Sequence, residues 1–138
     1  MTEDFLKENL TSEDFKDSLV IADDTDCLTD KKMLKHVNKK LDSILQTGRH
    51  WKTSLLITSH VGCNGSSTKM ILNEAHQITF FPSGMGNRSL KYLLDSYLGL
   101  DKKQTEKIKY INSRWVTVTR TYPQVLVAEK DAFLVKAL

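Results

Sequence analysis

The chain has 138 residues, of which 40% are hydrophobic and 27% are charged, and its formal net charge is +3. These values are typical of one folded domain with a hydrophobic core, and they exclude a disordered, collagen-like or multi-domain chain. Two cysteines, Cys27 and Cys63, are too few for a disulfide scaffold and favour a reducing environment. The sequence shows no signal peptide and no run of the ~18 to 20 apolar residues that a membrane span needs. We therefore expect an intracellular protein that is neither secreted nor bound in a membrane.

Two apolar runs in the first half of the chain predict β-strands. Residues 1–17 read as a polar lead-in or a short helix. The first run, Ser18–Ala22, is apolar on both faces, which is typical of a buried parallel strand. The second run, Ser54–Thr58, also ends in polar residues. Both runs therefore predict strands of an α/β sheet.

A long amphipathic helix is predicted between these strands, from about Asp30 to Gln46. Thr29 or Asp30 is the expected N-cap, and Gly48 stands where a C-cap is expected. The remaining helix surface is rich in lysine, at Lys31, Lys32, Lys35, Lys39 and Lys40. These lysines could contact DNA phosphates, and a simple solvated face explains them at least as well.

The second half of the chain predicts a short helix, a strand, two helices and a hairpin. The predicted elements are a helix at 68–75, a strand at Gln77–Phe81, helices at 88–98 and 101–111, and strands at 115–122 and 125–128 joined by a turn at 122–124. Strand, helix, strand, helix, strand implies right-handed crossovers. The sequence therefore predicts one α/β domain over 1–138, with a mostly parallel sheet, flanking helices and a C-terminal β-hairpin; within it, 18–82 is the core and 83–138 the helices and hairpin.

Asp23 and Asp24 come directly after the first apolar strand, as in a Walker B pattern. The strand would deliver both carboxylates to the edge of the sheet where ligands bind. One acid could hold Mg²⁺ through water, and the other could polarise an attacking water. Acids also end strands at turns, and the pattern alone favours that simpler explanation. Asp26 and Asp30 fit better as solvated or capping acids.

Thr58-Ser59-His60 would face the same edge at the end of the second strand. A polar group there could sense a γ-phosphate or orient water, or could simply end the strand. Arg49, in Gly48-Arg49-His50, could hydrogen-bond terminal carbonyls of its helix or act on a neighbouring subunit as an arginine finger. The phosphate-loop motif G-x-x-x-x-G-K-[ST] occurs nowhere in the chain.

Taken in order, these blocks resemble the DNA-packaging ATPase of nucleocytoplasmic large DNA viruses, a relative of the FtsK–HerA superfamily, with the giant-virus branch closer than the poxviruses. The match runs from about Ser18 to about Lys130. The blocks that carry it are Leu19-Val20-Ile21-Ala22-Asp23-Asp24, Gly48-Arg49-His50, Leu55-Leu56-Ile57-Thr58-Ser59-His60, Leu72-Asn73-Glu74-Ala75-His76, Leu90-Lys91-Tyr92-Leu93-Leu94, Tyr97-Leu98-Gly99-Leu100-Asp101-Lys102-Lys103-Gln104 and Ser113-Arg114-Trp115-Val116.

The resemblance implies a partial RecA-like P-loop NTPase fold that uses ATP and Mg²⁺ to drive double-stranded DNA into a capsid. Asp23 matches the acid that coordinates Mg²⁺, and Asp24 matches the acid that activates water. Ser59 matches the polar sensor position, and Arg49 matches an arginine that acts in trans. A homo-oligomeric ring is implied, located in the host cytoplasm, at the viral factory, or in the virion.

The chain departs from this family because it lacks the half that carries the Walker A loop. In the family, the strand bearing that loop lies between the strands matching 53–58 and 77–81. The resemblance therefore implies the C-terminal part of a packaging ATPase that hydrolyses ATP only with a Walker A-bearing N-terminal half. The alternatives are a non-catalytic remnant that binds DNA or the ring, and a degenerate product without function.

Overall fold

The computed structural model describes residues 3–63 and 65–138, so the first two residues of the predicted lead-in lie outside it. The chain forms two compact units, Met1–Val61 and Gly62–Leu138. Each unit has its own hydrophobic cluster. The described residues form a two-stranded parallel sheet and a four-stranded antiparallel sheet. The α/β class is thereby confirmed.

The first unit is built around a strand, a helix and a strand. Its elements are helix α1 (Glu3–Lys7), a 3-10 turn (Ser12–Phe15), strand β1 (Leu19–Ala22), a second 3-10 turn (Thr25–Cys27), helix α2 (Lys31–Trp51) and strand β2 (Ser54–Ile57). β1 and β2 are parallel, with Leu19 opposite Ser54 and Ala22 opposite Ile57. Both predicted strands and the long helix between them are therefore confirmed.

Helix α2 begins at a side-chain cap and packs through one apolar stripe. The carboxylate of Asp30 accepts hydrogen bonds from the backbone N–H groups of Lys32 at 2.8 Å and Met33 at 3.3 Å, as predicted for an N-cap. The buried residues of the stripe are Met33, Val37, Leu41 and Ile44. Each such side chain stabilises the fold by roughly 1.5 to 3 kcal/mol when fully buried. Met33, Val37 and Leu41 of the stripe pack with Ala22, Leu55 and Ile57, so α2 covers one face of the two-stranded sheet.

The prediction that Gly48 caps α2 is wrong, because the helix continues to Trp51 and is capped by Lys52 in the left-handed region, at φ 54°. Gly48 is buried, and a Cβ there would lie 3.2 Å from the carbonyl oxygen of Thr53. The N–H of Thr53 also donates to the carbonyl oxygen of Gly48 at 2.8 Å. A side chain at position 48 would therefore require the backbone of Thr53 to shift where the chain passes close to the last turns of the helix.

The second unit contains three helices and four strands in its described residues. They are α3 (Ser66–Glu74), β3 (Gln77–Phe80), α4 (Asn87–Tyr92) with a π-helical turn (Leu93–Tyr97), α5 (Lys102–Lys109), β4 (Val116–Thr119), β5 (Val125–Ala128) and β6 (Ala132–Leu134), followed by a 3-10 turn (Val135–Ala137). The strand order is β3-β4-β5-β6, and all pairs are antiparallel. The core of the unit includes Leu90, Leu93, Leu94, Ile108 and Leu126.

The sequence predicted a mostly parallel sheet, and this prediction is wrong for the second unit, whose four strands are antiparallel. β3 pairs antiparallel with β4, with Gln77 opposite Thr119 and Phe80 opposite Val116. The predicted C-terminal hairpin, β4 and β5, is confirmed, and it pairs with β3 directly. Val116 and Val118 point into the core with no exposed surface, while the alternating threonines face outward. This alternation is typical of an antiparallel sheet with one solvated face.

Candidate acidic site at the ends of two parallel strands

The parallel pairing of β1 and β2 brings their polar ends to one edge of the first unit. The last paired residues are Ala22 and Ile57. The N–H of Thr58 donates to the carbonyl oxygen of Ala22 at 3.0 Å, which carries the backbone pairing one step beyond the strands. Asp23 and Asp24 therefore lie beside Thr58, as the sequence predicted for this edge.

Thr58 joins the two carboxylates. Its hydroxyl donates to Oδ1 of Asp23 at 2.6 Å and lies 3.2 Å from Oδ1 of Asp24. A hydroxyl has one proton, so the shorter contact is the principal hydrogen bond. The same oxygen accepts a hydrogen bond from the backbone N–H of Asp24 at 3.0 Å. Thr58 thus fixes the orientation of Asp23 and anchors the backbone of Asp24.

Asp24 has a distinctive backbone and a second partner. Its φ of 47° lies in the left-handed region, which aspartate adopts more readily than most residues. Nε2 of His60 lies 3.2 Å from Oδ2 of Asp24. The side chains of His60 and Asp24 are 68% and 47% exposed, so the pair faces solvent. An exposed carboxylate held from two sides is open to a ligand arriving from outside.

Ser59, which was matched to the sensor position, contacts Asp26 and not Asp23 or Asp24. Its hydroxyl donates to Oδ2 of Asp26 at 2.7 Å, and the N–H of Val61 donates to the same oxygen at 3.2 Å. Partial burial raises the pKa of the Asp26 carboxyl, but hydrogen bonds from Ser59 and from backbone N–H groups outweigh burial and hold that pKa below its ordinary value. Asp26 is therefore an ionised anchor for the loop after β2.

Arg49 is not brought together with the acids within one chain. It lies exposed in the last turn of α2, which runs from the end of β1 back to the start of β2. A helix of 21 residues is about 31 Å long. Arg49 therefore lies at the end of the first unit opposite Asp23 and Asp24. Any contact between Arg49 and this site requires another copy of the chain.

Asp23 is the side chain of this site whose chemistry suits a hydrated Mg²⁺ ion. Among the described residues, no group of three or more histidine, cysteine or acidic side chains could hold a metal ion by itself. Mg²⁺ usually keeps several waters and needs only one or two carboxylates plus substrate phosphates. Exposed Asp23, oriented by Thr58, can supply such a carboxylate.

The lysine-rich surface of α2 is smaller than its sequence predicts. Lys40 is half-buried, and its ammonium group donates to the carbonyl oxygen of Leu10. Lys31, Lys35 and Lys39 are exposed and line one shallow concave surface. Their spacing of four residues sets them about 6 Å apart along the helix. These three lysines form a stripe of positive charge, which we call the lysine stripe.

One block of the resemblance has a structural role in the second unit. Nε of Arg114 lies 2.6 Å from Oε1 of Glu129, and the N–H of Arg114 donates to Oε2 of Glu129 at 2.9 Å. The backbone hydrogen bond from Arg114, followed by its side-chain hydrogen bond, lowers the pKa of the Glu129 carboxyl. The hydroxyl of Ser113 accepts from the N–H of Glu129 at 3.1 Å. Ser113 and Arg114 therefore hold the β4–β5 hairpin together.

The sequence did not single out Thr58 and His60, rather than Ser59, as the residues that contact Asp23 and Asp24, although the register of the two apolar runs could have indicated Thr58. If the last apolar residues of the two runs are paired, Ala22 lies opposite Ile57 and Asp23 lies opposite Thr58. Neighbours across a parallel pair lie close enough for their side chains to interact, so this register predicts the Thr58–Asp23 contact. It also places Ser59 outside that contact.

Comparison with known proteins finds no protein-family model and no solved structure that matches the chain. The chain is similar to a viral protein, the uncharacterized protein V3 of Sputnik virophage. The two are 40% identical over 121 residues, which is 86% of this chain and 49% of the virophage protein. The chain therefore spans about half the length of this relative.

Within the described part of the chain, no helix is both long and apolar enough to cross a lipid bilayer.

Proposed function

We propose that this chain is the C-terminal part of a viral genome-packaging ATPase, which couples ATP hydrolysis to the movement of double-stranded DNA into a capsid. The observation that carries the proposal is the pair Asp23 and Asp24 at the end of a parallel strand, held by Thr58 of the neighbouring strand. Similarity to a virophage protein supports a viral origin. The fold proposed for the whole enzyme is RecA-like.

Each residue of the site has a role in this proposal. Asp23 holds Mg²⁺ through water, and Asp24 polarises the water that attacks the γ-phosphate. Thr58 orients Asp23 directly, so the geometry favours Thr58 over Ser59 as the polar group that senses the phosphate. Ser59 fixes the loop through Asp26. Arg49 acts on the site of a neighbouring subunit, because it lies at the far end of its own unit.

The proposed activity needs residues that this chain does not contain. Phosphoryl transfer in P-loop enzymes depends on a glycine-rich loop and its lysine, which cradle the β- and γ-phosphates. That motif does not occur in this sequence. Hydrolysis therefore requires a Walker A-bearing half, and the virophage relative is long enough to contain a segment of that size.

Hydrolysis assays test whether ATP turnover requires both this chain and a Walker A-bearing half. Mg²⁺-dependent ATP turnover is measured for the chain alone, for a Walker A-bearing half alone, and for the two together. We expect turnover only in the mixture, and its loss when Mg²⁺ is chelated. Turnover by the isolated chain that disappears in Asp24→Asn would contradict the requirement for the other half.

A second candidate function is a non-catalytic module that binds DNA. The lysine stripe of α2 favours it, because three exposed ammonium groups in a row match a line of phosphates. Variants distinguish the two functions. A module that only binds DNA requires the lysine stripe but not Asp24, whereas ATP hydrolysis requires Asp24.

A further inference from the structure

A cleft in the second unit is lined by basic side chains from two helices. It is bounded by α4, with the π-helical turn that follows it, and by α5, and its volume is about 650 Å³. Volumes of this size are typical of sites for small molecules. The basic side chains are those of Arg88 and Lys91 on one wall and of Lys102 and Lys109 on the other. We call this feature the basic cleft.

The hydrophobic core and one hydrogen bond fix the walls of the basic cleft. Leu90, Leu94 and Leu100 line it and also belong to the core of the second unit. The hydroxyl of Thr105, which is only 6% exposed, donates to Oδ1 of Asp95 at 3.2 Å and so joins α5 to the π-helical turn. Such turns are rare and frequently occur at functional sites. The two walls therefore carry their basic side chains on elements that are held together.

The positive charge of the basic cleft is not neutralised within the described part of the chain. None of its four cations forms an ion pair with a carboxylate there. The lining contains two acids, Asp95 and Glu106, so four cations and two carboxylates leave a net charge of +2. One oxygen of Asp95 is already engaged by Thr105. Since like charges around a cleft repel one another, an anion that enters it relieves this repulsion.

The basic side chains favour phosphate groups as the anion. The planar guanidinium of Arg88 can donate to two oxygens of one phosphate, while a lysine supplies a compact charge. Cations on both walls suit a ligand whose negative charge is spread over two adjoining groups. Lys102 and Lys109 are seven residues apart, which is about 10 Å along a helix. This length matches a small molecule and not a long polymer.

We propose that the basic cleft binds a small molecule that carries a diphosphate group. Arg88 and Lys91 hold the phosphates from α4, and Lys102 holds them from α5. The proposal concerns the second unit alone and goes beyond the proposed function. It requires neither Mg²⁺ nor the acids Asp23 and Asp24, so its outcome is independent of ATP hydrolysis.

The test uses inorganic pyrophosphate as the probe. Binding to the full chain is measured by titration calorimetry at low salt and without divalent cations, which excludes any site that depends on Mg²⁺. The test variant carries Lys91→Gln and Lys102→Gln, one lysine from each wall. The matched control carries Lys103→Gln and Lys107→Gln, which are exposed lysines of α5 that do not line the cleft. Both variants lose two positive charges.

We expect one pyrophosphate per chain, at least tenfold weaker binding by the test variant, and binding by the control within twofold of wild type. Urea denaturation checks that the variants are folded, and Arg88→Gln is a second, single variant that should weaken binding at least fivefold. Absence of binding to wild type would overturn the proposal. Equal weakening by the test variant and the control would also overturn it, because net charge alone would then explain the binding.

Two other ligands test the chemical class. Citrate, an anion without phosphate, should bind at least tenfold more weakly than pyrophosphate, and equal binding would overturn the assignment to phosphate. Binding of duplex DNA should be affected equally by the test variant and the control. A selective loss of DNA binding in the test variant, with no binding of pyrophosphate to wild type, would overturn the proposal and assign the basic cleft to nucleic acid.

Discussion

The hydroxyl of Thr58 donates to Oδ1 of Asp23 at 2.6 Å, and this hydrogen bond joins side chains that leave two adjacent parallel strands. It sets the orientation of Asp23 at the edge where the carboxyl ends of both strands meet. The backbone N–H of Asp24 donates to the same threonine oxygen. The two acids are therefore positioned by one residue of the neighbouring strand.

Replacing Thr58 with valine should release both acids while keeping the shape of the side chain. Loss of this exposed hydrogen-bonded link should lower the free energy of unfolding by about 1 kcal/mol, measured by urea denaturation. When the variant chain is combined with a Walker A-bearing half, ATP turnover should be at least tenfold lower than with the wild-type chain. Ser59→Ala is the matched control, because Ser59 bonds Asp26 and not Asp23 or Asp24. Equal turnover in the two variants would show that Thr58 does not position the acids.

Asp26 should make stability depend on pH in the acidic range. Its pKa is lowered by folding from an ordinary value of 3.8. A carboxyl of this kind adds to the free energy of unfolding above pH ~4, and that contribution is lost as the pH falls through the lower folded pKa. Because Asp26 is largely exposed, solvent limits the effect to less than about 1 kcal/mol.

The variant Asp26→Asn tests this. Unfolding measured from pH 6 to pH 2 should show a shallower loss of stability for Asp26→Asn than for wild type. Ser59→Ala, which removes one of the hydrogen bonds to the carboxylate, should fall between the two. Identical pH profiles for all three proteins would contradict an ionised, hydrogen-bonded Asp26.

Gly48 should tolerate a branched side chain poorly. A Cβ at this position would meet the carbonyl oxygen of Thr53 at 3.2 Å, and a valine would place two further methyl groups in the same space. We expect Gly48→Val to lower the free energy of unfolding by about 2 to 3 kcal/mol. Gln46→Val, at an exposed position of α2, should lower it by no more than about 0.5 kcal/mol. Equal losses in urea denaturation would show that the close approach of Thr53 does not set the cost of a side chain at position 48.

The lysine stripe should dominate any binding to duplex DNA. Reversing the charge of Lys31, Lys35 and Lys39 to glutamate should weaken binding and reduce the dependence of log affinity on log salt by up to about 3. The matched control reverses Lys102, Lys103 and Lys107, exposed residues of α5. Fluorescence anisotropy at several salt concentrations measures both. If both variants weaken DNA binding equally, the change in net charge explains the loss of affinity, and a specific role for the lysine stripe is excluded.

Local patterns predicted the first unit well because each signal there is short-range. The apolar stripe of α2, its Asp30 cap and the polar ends of both strands all follow from residues close in sequence. The partner of Ser59 depends on register and on the fold of the loop after β2, which residue type alone does not specify. The burial of Gly48 depends on the close passage of Thr53, a tertiary contact.

In the second unit, the order of the predicted elements gave the wrong direction for a strand. The alternation of strand, helix and strand predicted a parallel position for β3, but the pattern Val116-Thr117-Val118-Thr119 carries the stronger information. Its inward valines and outward threonines fit an antiparallel partner, and the hydroxyls of Thr79 and Thr117 lie 2.8 Å apart across that pair. β6 is only three residues long, too short for a pattern to reveal.

In the proposed function Asp24 acts in ATP hydrolysis, and a comparison of two acids of the same loop tests this role. Turnover of the chain complemented with a Walker A-bearing half is measured at saturating Mg²⁺ and ATP for wild type, Asp24→Asn and Asp26→Asn, with ATP binding measured in parallel. We expect Asp24→Asn to lower turnover at least 100-fold with ATP still bound, and Asp26→Asn to lower it by less than tenfold. Turnover of Asp24→Asn within twofold of wild type would contradict a role for Asp24 in hydrolysis.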